Sequence, residues 1–305
     1  MEQQVIVIVG PTCSGKTSLA VNLAKELDTE IISADSRQIF KYLTIGTAKP
    51  NLLELSQVKH HFIDFLYPDE DYNVGLYERD ATKIIGSLAA SNKIPIIVGG
   101  SGLYIKAVID GIVDVDSDDE LREELKQIRE EFGNEFLYNE LKKIDPSAAE
   151  TMLPSNWKRV IRAIEVFKLT GKSILEIHNK ETKTNNYNFL QFGLNWPRQI
   201  LYKNIEARVD QMIENGLVDE VKSILEMNYS KKLNSLNTVG YKEIISYLDN
   251  EISLERAVEL IKRNTRRYAK RQLTWFRKDE RIKWFDLESF EEIEIIKNKI
   301  LKSIT

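Results

Sequence analysis

VIVIVGPTCSGKT, residues 5–17, is the stretch that decides the fold class. Val5 to Val9 is an unbroken apolar, β-branched run, as expected of a strand covered on both faces. Gly10, Pro11, Thr12, Cys13, Ser14, Gly15, Lys16 and Thr17 follow it and fit G-x-x-x-x-G-K-[ST] in full. Leu19, Ala20, Leu23, Ala24 and Leu27 then recur at helical spacing. Strand, glycine loop and helix in this order predict a phosphate cradle. Gly10 and Gly15 allow backbone conformations that a side chain blocks. Successive amides and the positive end of the helix dipole point at phosphate oxygens. Lys16 adds a mobile positive charge, and the Thr17 hydroxyl is the expected ligand of Mg²⁺. Thr12 and Ser14 add hydroxyl donors. The loop alone does not name its ligand. By itself it reads as a nucleotide site, ATP foremost, in a kinase or ATPase.

Working outward, Glu30 to Asp35 (EIISAD) and Lys93 to Gly100 (KIPIIVGG) read as further short strands ending in polar or glycine loops. Strands alternating with helices predict an α/β fold: a parallel sheet of the P-loop NTPase kind with right-handed crossovers. Near Asp114 the pattern changes. Asp114, Asp116, Asp118, Asp119 and Glu120 lead into short predicted helices reaching about Gly171, with a start at Pro154-Ser155 and a stop at Gly171. A polar segment, 179–188, precedes a returning strand at Phe189 to Trp196. Residues 114–188 are therefore expected to be an inserted all-helical lobe, and 1–113 with 189–305 a core carrying a helical C-terminal region. Its helices are predicted over about 201–227, 240–248 and 254–275.

The 305 residues include 42% hydrophobic and 30% charged, an ordinary balance for a globular chain. No apolar run approaches the roughly 20 residues of a membrane span, and the N-terminal run lacks the basic lead of a signal peptide. The expectation is a cytoplasmic protein. Cys13 is the single cysteine, which excludes internal disulfides and cysteine zinc sites. Net charge is −4, yet residues 262–283 carry ten basic side chains against two acidic, and residues 156–172 five against one. Basic stretches on an acidic chain suggest local polyanion contacts, with solvated helix faces as the plain alternative. His60, His61 and His178 lack the spacing of a metal site.

From Ile31 onward the chain resembles one family, the tRNA dimethylallyltransferases, the matches running in order along nearly its whole length. They are IISADSRQ and IGTAKP within 31–50, His60-His61-Phe62, PIIVGGSGLYI at 95–105, RVIRAIE at 159–165, RVDQM at 208–212 with Gly216-Leu217, GYKE at 240–243 and TRRYAKRQLTWFR at 265–277. The resemblance implies transfer of a dimethylallyl group from dimethylallyl diphosphate to the exocyclic amine of an adenine on the 3′ side of the anticodon. Prenylation of free adenine nucleotides is the alternative. With one cysteine the chain has no zinc finger, which is similar to the bacterial members.

By the same resemblance Asp35 is the base that takes the amine proton, though Asp also suits a helix N-cap. Ser101 stands where the family usually has threonine and keeps the hydroxyl near the bridging oxygen of the donor; Gly99, Gly100 and Gly102 let backbone approach. A plain glycine turn is the alternative there. Cys13 replaces a usual alanine or glycine. Arg208 resembles an arginine near the leaving group, with a surface ion pair as the alternative. Asp35, Ser36, Arg37 and Gln38 are expected to line the channel for the extracted adenine. Arg159, Val160, Ile161, Arg162 and Ala163, with Lys158, are expected to grip the anticodon stem-loop, and Arg266, Arg267, Lys270 and Arg271 to add phosphate contacts. Trp275, Phe276 and Trp284 read as packing groups rather than stacking platforms. A monomer is expected.

Overall fold

Alternate residues of the first strand enter different cores. Ile6 and Ile8 belong to one hydrophobic cluster, and Val5, Val7 and Val9 to another. This is why the run is continuous: both faces of the sheet are covered by helices. The computed structural model describes residues 3–112, 115, 117–180 and 187–304. The expectations placed on Asp114, Asp116 and most of 179–188 fall outside the described residues, as do the side chains of 178–180, His178 among them.

Six strands form one sheet: β1 (Gln3–Val9), β2 (Ile31–Ala34), β3 (His60–His61), β4 (Ile96–Gly99), β5 (Tyr187–Asn195) and β6 (Lys283–Asp286). Their order is β3-β2-β4-β1-β5-β6, and every pairing is parallel. Register sets Val9 beside Gly99 and Ala34 beside Gly99, so the carboxyl ends of β1, β2 and β4 finish together. Ligands of such sheets bind at that edge. An added Cβ at Gly99 would lie 2.1 Å from the Ala34 carbonyl oxygen, so this glycine is needed for the strands to approach.

The helices in chain order are α1 (Lys16–Glu26), α2 (Leu52–Gln57), α3 (Val74–Ala90), α4 (Gly102–Asp110), α5 (Asp119–Ile144), α6 (Pro146–Glu150), α7 (Trp157–Thr170), α8 (Ile174–Lys180), α9 (Arg198–Glu214), α10 (Leu217–Glu226), α11 (Tyr241–Leu248), α12 (Leu254–Phe276) and α13 (Glu292–Ile304). No helix of the described residues is long and apolar enough to cross a membrane.

The chain divides into two compact units, Met1–Ile109 with Asn185–Thr305, and Asp110–Thr184. The first holds the sheet. Its returning strand starts at Tyr187, two residues before the expected Phe189. The helix expected over 201–227 is two helices, because Gly216 takes a left-handed φ of 92° and caps α10. The stretch expected to be mainly helical also contains β6, whose four residues KWFD are too few to give a strand period.

The second unit is all helical. Its α5 is interrupted at Gly133, where φ is 85° and ψ 174°, so the span is two shorter helices, as expected of this stretch. A 3-10 turn at Pro154–Asn156 opens α7, and Gly171 ends it in the left-handed region. Glu165 is fully buried and is held by Arg122 (2.8 Å), Arg162 (2.6 Å) and the Asp118 amide (2.9 Å). Val160, Ile161 and Ala163 pack in this unit's core. That corrects their assignment to RNA: side chains at most 5% exposed have no surface to offer. Arg159 and Lys158 remain exposed on α7.

Candidate functional site

A cavity of about 660 Å³ opens at the carboxyl edge of the sheet. Thr12 to Thr17 line one wall, Asp35 to Gln38 another, and Arg208, Tyr268, Arg271 and Gln272 close it from α9 and α12. The phosphate loop, the Asp35 segment and Arg208 are thus brought together. Gly10 and Pro11 anchor the loop without lining the cavity. Ser101 does not line it either. The exposed cations of α12 other than Arg271 lie elsewhere.

The loop is built as its residues require. Gly10 and Gly15 have φ of 150° and 87°. Cys13 is buried and takes a φ of 62°, a conformation that costs a β-carbon residue about 1 kcal/mol or more. No side chain caps the first turn of α1, so its amides stay open to an anion. Lys16 Nζ donates to the Pro11 carbonyl at 2.5 Å and to Ser14 Oγ at 3.5 Å. Burial pushes its ammonium down to about 8, with Cys13 and Asp35 opposing and Arg208 assisting the shift.

Asp35 leaves the end of β2 into a turn. Its Oδ1 accepts from the Arg37 amide at 2.8 Å and the Gln38 amide at 3.4 Å. The expected helix cap is therefore a cap on a turn, and Oδ2 makes neither bond. The Gln38 carboxamide donates to the Thr47 and Ala48 carbonyls at 3.2 and 3.0 Å, which turns its oxygen away from them as an acceptor. Arg37 is tied to the Asn234 carbonyl at 2.7 Å. Ser101 Oγ accepts from the Ser36 amide at 3.0 Å and lies 3.4 Å from Ser36 Oγ, next door to Asp35. Burial, with Asp35 adding to it, pushes the Tyr104 phenol up to about 12.

Three side chains that the sequence did not single out hold these parts in place. Gln272, 6% exposed, accepts from the Thr12 amide at 2.9 Å and donates to the Gly100 carbonyl at 3.0 Å. It clamps the phosphate loop to the loop carrying Ser101. The Trp196 indole donates to the Ser14 carbonyl at 3.0 Å. Because a trans peptide sets C=O and N–H opposite, this aims the Gly15 amide the other way. Glu220 accepts from the amides of Thr44, Ile45 and Gly46 and from the Tyr241 hydroxyl at 2.6 Å, fixing the loop that orients Gln38. Gln272 stands inside TRRYAKRQLTWFR, and Glu220 follows Gly216-Leu217; their partners are remote in sequence, which is why spacing did not reveal them.

The basic stretch 262–283 is divided. Lys262 pairs with Asp210 at 2.6 Å, Arg281 with Asp279 at 2.7 Å, and Arg266, expected on RNA, with Glu206 at 2.6 Å. Arg267, Lys270, Arg271 and Lys278 are exposed.

Comparison with known proteins bears on the same residues. The family model described as IPP transferase matches residues 38–279, and one described as isopentenyl transferase matches 3–69. The chain is 50% identical to the tRNA dimethylallyltransferase of Acetivibrio thermocellus over 299 residues, covering 96% of this chain and 95% of the relative. It is 48% identical to the Finegoldia magna protein of the same name, covering 100% and 98%. Among solved structures, the full-length tRNA isopentenylpyrophosphate transferase of Bacillus halodurans matches with a TM-score of 0.72 at 41% identity, covering 98% and 96%. A eukaryotic dimethylallyltransferase solved in the course of acting on tRNA matches with a TM-score of 0.82 at 28% identity, covering 98% and 77%. The phosphate loop and the Asp35 segment thus share one cavity in a chain that belongs, by family model and by end-to-end identity, to the tRNA dimethylallyltransferase (IPP transferase) family.

Proposed function

We propose that the chain transfers a dimethylallyl group from dimethylallyl diphosphate to the exocyclic amine of the adenine 3′ to the anticodon of tRNA and releases diphosphate. The observation that carries this reading is the shared cavity. A phosphate cradle and a carboxylate face one space, with no second nucleotide site required. The amine lone pair forms the new C–N bond as the donor's C–O bond breaks. The bonding pair leaves with the diphosphate oxygen, and the amine proton passes to Asp35. The amides of the loop, Lys16 and Arg208 face the charge that grows on the departing group, where fixed dipoles act most strongly. Lys16 reaches that position by leaving the Pro11 carbonyl. Ser101, bonded to Ser36 next to Asp35, is the hydroxyl proposed to act near the bridging oxygen of the donor.

Among the described residues no trio of His, Cys, Asp or Glu is placed to hold a metal. Thr17 lines the cavity, and its hydroxyl would hold Mg²⁺ together with phosphate oxygens of the donor, since this ion keeps much of its water and rarely uses an all-protein cage. When bound it neutralises charge on the leaving diphosphate.

The adenine has to leave its stack to enter the cavity. Arg159 and Lys158 in the helical unit, and Arg267, Lys270 and Arg271 on α12, are the exposed cations suited to the anticodon stem-loop. The expectation of a monomer is kept as part of this proposal, and the acceptor supports a cytoplasmic setting. The test is an acceptor comparison with labelled donor and Mg²⁺. An anticodon stem-loop carrying the adenine is expected to take label, whereas AMP, ADP and ATP are not. Label on free nucleotide with none on RNA would overturn the reading.

A further inference from the structure

We propose that the Trp275 indole is a stacking platform for an RNA base that flanks the acceptor adenine. The inference rests on the RNA acceptor proposed above and adds a contact to it. It also reverses the expectation that Trp275 is a packing group.

Of the four tryptophans Trp275 alone is exposed, at 45%. Trp196 is buried against the phosphate loop, Trp284 packs over Gly193, and Trp157 lies under Arg129 at 4.0 Å. Phe276, next along the chain, is 2% exposed and does pack. Arg267, Arg271 and Trp275 recur every four residues, so they share one face of α12, and all three are exposed. Ala269, Gln272 and Phe276 are the buried positions of that stretch. Lys270 and Lys278 are further exposed cations near this end of α12 in sequence. A large aromatic left in water within a positive stripe matches single-stranded nucleic acid: cations for the backbone, a flat ring for a base.

Its place is fixed beside the loop that carries Ser101. The indole lies against Gly102, where an added Cβ would be 2.2 Å from both Cδ1 and Nε1. Gly102 follows Ser101, and Arg271, one turn before Trp275, lines the cavity. Gly102 therefore serves as a seat that holds one edge of the ring. When the acceptor adenine enters the cavity, its neighbours lose a stacking partner at the rim. An aromatic ring held there replaces it, independent of which base is present.

The test compares wild type with Trp275→Phe and Trp275→Leu on stem-loops carrying 2-aminopurine on either side of the acceptor. Leucine keeps apolar contact with Gly102 and loses the stacking face; phenylalanine keeps a face. Trp275→Leu is expected to raise KM for the stem-loop about tenfold, the lower part of the range for one base–aromatic stack. KM for dimethylallyl diphosphate should stay unchanged, and phenylalanine should recover most of the loss. At saturating protein, one of the two 2-aminopurine positions should be quenched by wild type and brighter with leucine. A leucine variant with wild-type KM for RNA, or one that loses only thermal stability and kcat, would overturn the stacking. Failure of wild type to prenylate the stem-loop would instead overturn the proposed function itself. A protein partner on this face would leave both 2-aminopurine signals indifferent to the substitution, and that too counts against the proposal.

Discussion

Replacing Gln272 by methionine keeps the length and most of the volume of the side chain and removes its two polar atoms. The carboxamide now satisfies the Thr12 amide at 2.9 Å and the Gly100 carbonyl at 3.0 Å. Without it both groups lose their partner in a nearly closed site. Each unsatisfied group costs about 1–3 kcal/mol. Thr12 keeps some access to water, so the sum is about 2–4 kcal/mol. For a chain of this length that is a fall of about 3–6 °C in the unfolding midpoint. The functional effect is separate. The clamp sets the spacing between the loop that faces the leaving group and the loop that carries Ser101. A misplacement on the order of 1 Å there costs about 100-fold in turnover. Thermal unfolding and single-turnover transfer to the stem-loop, at saturating donor, measure the two effects. The expected outcome is a lowered midpoint and a lowered kcat, with KM for RNA within threefold of wild type. A variant with normal midpoint and kcat would refute the clamp.

Three further outcomes are expected. Lys16 is held near 8 against 10.5 for a free lysine, so kcat/KM for the donor should fall above about pH 8 as the ammonium is lost, and Lys16→Arg should move that limb upward. The same depression makes burial of the charged group a cost that is constant below about pH 8 and relieved between 8 and 10.5, so this residue's contribution to stability rises with pH there, as a titration of the unfolding midpoint against a Lys16→Met control would show. Arg162→Ala should destabilise the helical unit by about 3 kcal/mol, since it strips a partner from the fully buried Glu165, whereas Arg159→Ala should leave the midpoint unchanged and reduce the salt dependence of RNA binding by about one ion. Gly46→Ala should cost about 1–3 kcal/mol and raise KM for RNA, because the new methyl would sit 2.4 Å from the Tyr241 ring and displace the loop that orients Gln38.

What could be read in the sequence was local. The β1–loop–α1 unit was legible because the strand period, the glycines and the helical spacing lie within one short stretch. Asp35 was legible as the end of an apolar strand, though not as the cap of its own turn. The inserted helical region was visible from its change of pattern. Contacts spanning the chain were not visible: Gln272 meets Thr12 across 260 positions, and Glu220 meets Ile45 across 175. The same limit explains the RNA residues. A basic helix shows charge in sequence, but not that Arg162 is held by Glu165 while Arg159 faces water. Nor does sequence show that Val160, Ile161 and Ala163 fill a core. Nor does one aromatic within TRRYAKRQLTWFR declare its exposure: Trp275 is 45% exposed while its neighbour Phe276 is buried.

The central claim is that the phosphate loop grips a leaving group and that carbon, not phosphorus, is transferred. Donor labelled with ¹⁴C in the allyl group and ³²P in the diphosphate tests it in one experiment with an anticodon stem-loop. The account predicts ¹⁴C on the adenine amine of the RNA and an equal amount of ³²P released as diphosphate, with both signals lost in Asp35→Ala while donor binding persists. Phosphorus carried onto the RNA, or ³²P release without ¹⁴C transfer, would contradict it.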